Sequence, residues 1–116
     1  MDKVKDTVTK RDGEVWDENE VEVFLDPDNA QKQFKQLLVN TLGTLSDFSN
    51  DGGKVSDWDS RAQVAVKRGS DSWSVEFAVP FAAICGEAPL PGDVWGLNLC
   101  RVRRTVKPDE YTCWTP

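Results

Sequence analysis

Residues 20–26, Glu-Val-Glu-Val-Phe-Leu-Asp, put Val21, Val23 and Leu25 on one side of an extended chain and Glu20, Glu22 and Phe24 on the other. That two-residue period belongs to a half-buried strand. It returns at 62–68 (AQVAVKR) and 73–79 (WSVEFAV), which flank Gly69-Ser70-Asp71-Ser72 and so predict a hairpin closed by a polar four-residue loop. No segment of ten or more residues carries a clear helical period. Short alternating segments parted by turn residues predict an all-β fold, an antiparallel β-sandwich of jelly-roll or immunoglobulin-like type.

The remaining punctuation fits this reading. Pro27-Asp28-Asn29 stops the first strand, and Gln33 to Thr41 and Thr44 to Phe48 predict two strands around a bend at Gly43. A loop follows at Ser49-Asn50-Asp51-Gly52-Gly53. Pro80 ends the hairpin, Phe81 to Cys85 suits one helical turn, Val94 to Val102 is a further strand, and Tyr111 to Trp114 returns as the last. Asp2 to Glu14 is polar and unpatterned, and nothing before Glu20 supplies an outer partner for that strand. With 116 residues and 39% hydrophobic content, residues 1–116 are expected to form a single domain.

A net charge of −6 argues against nucleic acid, which needs clustered Lys and Arg. The local basic cluster of Arg101, Arg103, Arg104 and Lys107 reads as a solvated strand edge. No apolar run reaches the roughly 18 residues that span a bilayer, so no membrane partner is expected, and residues 1–10 lack the apolar centre of a signal peptide. Cys85, Cys100 and Cys113 fit neither a CxxC zinc pair nor an evenly paired framework. Buried free thiols are the blander reading; a Cys100–Cys113 bridge requires their strands to be neighbours.

The chain has no histidine, which removes the commonest general base and the usual nucleophile triads. Glu20 and Glu22 stand about 7 Å apart along one strand, within the range of a glycosidase pair, but side by side they read as a solvated face rather than an acid and base across a ring. No enzyme is expected. Asp26-Pro27-Asp28-Asn29 and Asp47 to Gly52 are rich in the oxygen ligands calcium takes, with Asp26 and Asp28 the candidates, although turn chemistry accounts for the same residues. No cofactor is required.

Five tryptophans are many for this length. Trp73 and Trp95 read as core or core rim, beside Val75/Phe77 and Leu97/Leu99. Trp16, Trp58 and Trp114 sit among polar residues instead. An exposed indole is costly unless covered, and the C–H face of a sugar can cover it while nearby groups meet the hydroxyls. Glu22, Asn40, Asn98 and Arg101 are the candidate polar partners. The alternative is that Trp16 and Trp114 close the two ends of the core.

The string Val15-Trp16-Asp17-Glu18-Asn19-Glu20-Val21-Glu22-Val23-Phe24-Leu25-Asp26-Pro27 resembles the central motif of the family 9 carbohydrate-binding modules. Val39 to Thr44, Trp73 to Phe81, Pro91 to Asn98 and Glu110 to Pro116 follow in the order that family shows. The resemblance covers most of residues 8–116. It implies an extracellular or cell-surface accessory module of a system degrading plant polysaccharide such as cellulose or xylan, with structural calcium in some members. It also implies that Trp16 and Trp114 hold an oligosaccharide or polysaccharide between them, with Glu22 accepting from a hydroxyl. Leu38 stands where the family places an arginine and Tyr111 where it places an asparagine, so the hydroxyl pattern read here differs from the family's. The family's domain begins several strands earlier, which implies an N-terminally shortened sandwich with an exposed sheet edge and a tendency to self-associate. The alternative function is a structural or interaction sandwich that has lost sugar binding.

Overall fold

The computed structural model describes residues 5–105 and 107–115. The strands are β1 (Glu20–Asp26), β2 (Gln33–Asn40), β3 (Leu45–Asp51), β4 (Lys54–Asp57), β5 (Gln63–Arg68), β6 (Trp73–Ala78), β7 (Gly96–Arg103) and β8 (Glu110–Cys113), with one helical turn, α1 (Phe81–Ile84), between β6 and β7. They form an antiparallel six-stranded sheet in the order β4-β3-β2-β1-β7-β8 and a separate β5-β6 hairpin. This is the expected β-sandwich. The expected loop at residues 49–53 is shorter and tighter: β3 continues through Asp51, and Gly52 and Gly53, both at positive φ, which only glycine adopts freely, turn the chain directly into a further strand, β4.

The alternation of β1 decides what packs where. Val21, Val23 and Leu25 face the hairpin, and with Leu37, Val39 and Leu45 they meet Val64, Val66, Val75 and Phe77 across the sandwich. Leu37 and Val39 are fully buried. We call this the inner face. Antiparallel register places Glu22 with Leu38 and Cys100, and Phe24 with Gln36 and Asn98, on the opposite, outer face.

The polar opening segment is a clasp rather than a tail. Glu18 is buried and accepts hydrogen bonds from the Thr7 and Val8 amides, the Thr7 hydroxyl and Asn40 Nδ2. Burial pushes the Glu18 carboxyl up, but the bonds from Thr7, Val8 and Asn40 outweigh it and hold the group below its usual range. Further along, the Arg11 guanidinium makes a two-pronged bond to the buried Asp47 carboxylate, at 2.9 and 2.7 Å. Residues 5–13 thus close one end of the large sheet.

The cysteines depart from the blander reading. Cys100 and Cys113 are directly opposed on β7 and β8 and form a disulfide, and Cys85 is free but exposed. Trp58 is also reassigned. It packs against the core, its Nε1 donates to the Ala83 carbonyl at 2.7 Å, and the Lys35 ammonium lies 5.3 Å from its ring centre. Among the described residues no helix is long and apolar enough to cross a membrane.

Candidate functional site

Three rows of side chains cross the outer face. The first runs Phe48, Gln36, Phe24, Asn98, the second Ser46, Leu38, Glu22, Cys100, Cys113, and the third Asn40, Glu20, Val102, Tyr111. Trp16, carried on a 3-10 turn spanning Val15–Asp17, lies against the first row with its ring centre 5.9 Å from that of Phe48. It remains 39% exposed. Glu22 Oε1 accepts from Gln36 Nε2 at 3.2 Å, which orients a partly exposed carboxylate in the middle of the face. Beside it a cleft of about 540 Å³ opens over Phe24, Phe34, Asn98 and the Cys100–Cys113 bridge, with Asn29, Gln31 and Gln33 at its rim. Phe24 and Phe34 meet edge to face at 5.5 Å.

Arg104 ties the two ends of this face together. It donates to the Trp16 carbonyl, to Asp109 Oδ2 at 2.9 Å and to the Tyr111 hydroxyl, and its guanidinium carbon stands 5.1 Å from the Tyr111 ring centre. Tyr111 is itself exposed. The outer face therefore carries two wet aromatic rings, Trp16 and Tyr111, with carboxylate and amide groups between them.

Glu20 shares the face but is 1% exposed, and its Oε2 has no partner. Desolvation, followed by repulsion from and hydrogen bonding to Glu22, drives its carboxyl up to about 9 against a weaker opposing pull from Arg104. It is therefore a neutral acid at pH 7. Sealed from solvent, it cannot reach a glycosidic oxygen on a ligand outside the sheet, which leaves the Glu20/Glu22 pair without the geometry of an acid and a base flanking a sugar.

The sequence-derived set is divided rather than gathered. Trp16 and Glu22 share the outer face. Asn40 is fully buried and spent: Nδ2 donates to Glu18 and the Val8 carbonyl, and Oδ1 accepts from the Leu42 and Thr44 amides. It shapes the β2–β3 turn and cannot meet a ligand. Arg101 and Trp114 belong to the other side of the sheet. Arg101 registers with Val21, and Trp114, whose amide donates to the Leu99 carbonyl, lines an inner groove with Arg101, Phe77 and Leu99, to which Glu22 on β1 also contributes although its carboxylate turns to the outer face. Thus Trp16 and Trp114 do not face each other across one ligand. Tyr111, Gln36 and Arg104 were missed as site residues, although the alternation of β8 already puts Tyr111 and Cys113 on the face opposite Thr112 and Trp114.

Asp26 and Asp28 make a turn: Asp26 Oδ2 accepts from the Gln31 amide, and Asp28 is exposed. Asp26 Oδ1 is buried without a partner, and beyond these two carboxylates calcium would draw its remaining oxygens from backbone carbonyls, amide side chains or water. Among the described residues no three His, Cys, Asp or Glu side chains gather into a group that could hold a metal ion.

The profile of a family described as carbohydrate family 9 binding domain-like matches residues 1–109. No curated protein matches the chain. Among solved structures, the fold is similar to a protein from Bacteroides uniformis ATCC 8492, provisionally called carbohydrate-binding and solved at 2.70 Å, with a TM-score of 0.77 and 16% identity. The similarity covers 97% of this chain and 59% of that one, so this chain spans about three-fifths of that protein's length.

Proposed function

The chain belongs to the carbohydrate family 9 binding domain-like family, and on that premise we propose that it binds a glycan without cutting it, on the outer face of the six-stranded sheet. The observation that carries this reading is the coexistence on one face of a partly exposed indole, Trp16, an oriented Glu22–Gln36 pair and an aromatic-floored cleft rimmed by amides. Sugars demand this combination, because their C–H faces stack on aromatic rings while their hydroxyls need acceptors and donors at the edge. Trp16 supplies the stacking surface, Glu22 accepts from a hydroxyl and Gln36 both donates and accepts. Tyr111 offers a second ring where the family pattern would place an amide.

A neutral plant-polysaccharide fragment of glucan or xylan type is the class that suits this surface, since a uronic acid would meet Glu22 with like charge. A secreted or cell-surface setting fits the Cys100–Cys113 bridge, which needs an oxidising compartment. With few polar contacts, dissociation constants in the micromolar to millimolar range are expected, about 4–8 kcal/mol. Titration with cellobiose, xylobiose and longer fragments, followed by tryptophan fluorescence, tests the reading. Saturable quenching is expected, and Glu22→Ala should weaken binding about tenfold, the effect of losing one hydrogen bond to a charged acceptor. Unchanged affinity in folded Glu22→Ala would remove Glu22 from the site, and no response to any sugar would favour an interaction module that has lost binding.

A further inference from the structure

The outer face holds its second ring more firmly than an edge strand requires. Tyr111 is 63% exposed on β8, a four-residue strand at the margin of the sheet whose residues are all exposed. It is nonetheless fixed at its hydroxyl and on one face of its ring: Arg104 Nη1 donates to the hydroxyl, and the guanidinium carbon lies 5.1 Å from the ring centre. The same nitrogen donates to Asp109 Oδ2 at 2.9 Å, which balances the charge, and Nη2 donates to the Trp16 carbonyl. Three acceptors thus hold the guanidinium, and the guanidinium holds the ring. An aromatic ring fixed beforehand and otherwise open to water loses little freedom when a ligand stacks on it.

We propose that Tyr111 is a second stacking subsite, and that the outer face takes a glycan chain of three or more sugar units lying across the strands from Trp16, over Glu22, to Tyr111. The inference rests on the outer-face glycan reading and goes beyond it in naming the length and direction of the ligand. The indole packs on Phe48 of β3, Glu22 lies on β1 and Tyr111 on β8, so the sheet order β3-β2-β1-β7-β8 places the carboxylate between the two rings. Four strand spacings, about 19 Å, separate β3 from β8. From its carbonyl, which Arg104 holds, Trp16 reaches away towards Phe48, while the Tyr111 hydroxyl reaches in towards the same guanidinium. The guanidinium and the Trp16 main chain therefore stand between the rings, and the gap is too wide for one sugar unit to stack on both. A unit on each ring, with another between them placing a hydroxyl on Glu22, uses all three groups. Because β8 is the outermost strand, a longer chain leaves the sheet at that edge.

Calorimetric titration of the wild type, Tyr111→Phe and Tyr111→Ala with cellobiose and cellotetraose, and with xylobiose and xylotetraose, tests this. The wild type should bind the tetrasaccharide about tenfold more tightly than the disaccharide of the same sugar, the gain from one further stacked ring. Tyr111→Phe, which keeps the ring and the guanidinium beside it, should retain that gain. Tyr111→Ala should bind both lengths with the affinity the wild type has for the disaccharide, which also shows that the variant is folded. Equal affinity of the wild type for both lengths would overturn the second subsite and leave the glycan reading standing, as would a gain that survives in Tyr111→Ala. Loss of disaccharide binding in Tyr111→Ala with unchanged far-UV circular dichroism would overturn it as well, since one short ligand would then be meeting both rings. A wild type that binds none of the four sugars would contradict the glycan reading itself, and this inference with it.

Discussion

Replacing Glu20 with glutamine is expected to stabilise the domain by about 3 kcal/mol at pH 7, roughly a 10 °C rise in melting temperature. The carboxyl lies sealed beside Glu22, with desolvation foremost and the neighbouring carboxylate second in holding it neutral up to about pH 9. In the unfolded chain the same group ionises near pH 4.5. The folded state therefore binds one more proton than the unfolded state between those values. Folding stability from this group is fully present below pH 4.5 and is lost as pH rises towards 9. Glutamine keeps the shape and can donate to Glu22 without the proton to lose. The two proteins should melt together at pH 4 and diverge at each higher pH, and differential scanning calorimetry across that range would show it. Parallel melting curves at all pH values would mean that Glu20 is ionised in the fold.

Removing the Cys100–Cys113 bridge should cost about as much in the other direction. The bond closes a loop between residues 13 apart in sequence, worth roughly 3 kcal/mol through restriction of the unfolded chain. It also joins the short edge strand β8 to β7, and β8 carries Tyr111. Cys100→Ala/Cys113→Ala should lower the urea midpoint by roughly 2 M, and a reducing agent should do the same to the wild type while leaving the double variant unmoved. Identical midpoints with and without reductant would show that the bridge contributes nothing.

The alternation of β1, β5 and β6 was legible because a two-residue period fixes which side chains share a face. What it does not fix is which part of a face becomes covered, and the candidate site residues separate at that point. Glu20 and Glu22 look equivalent in sequence, yet Glu20 is sealed and Glu22 remains partly exposed. Asn40, a candidate sugar ligand by type, is spent on a turn and on Glu18, because the unpatterned residues 5–13 fold back along the sheet. Trp58, flanked by two aspartates, has the sequence surroundings of a polar loop, but α1 brings the Ala83 carbonyl to its indole N–H. For Trp114 the information was present: counting alternate residues back from Cys113 separates it from Tyr111. Outweighing that parity, the family resemblance paired it with Trp16.

Glycan binding through the outer face is best tested by calorimetric titration of the wild type, Trp16→Ala and Trp114→Ala with cellobiose, xylobiose and longer plant oligosaccharides, each protein first shown folded by circular dichroism. Saturable heat is expected from the wild type and from Trp114→Ala, and its loss, by tenfold to a hundredfold in affinity, about 1.4–2.8 kcal/mol, from Trp16→Ala alone. Heat that survives in Trp16→Ala and vanishes in Trp114→Ala would contradict the assignment and move the site to the inner groove.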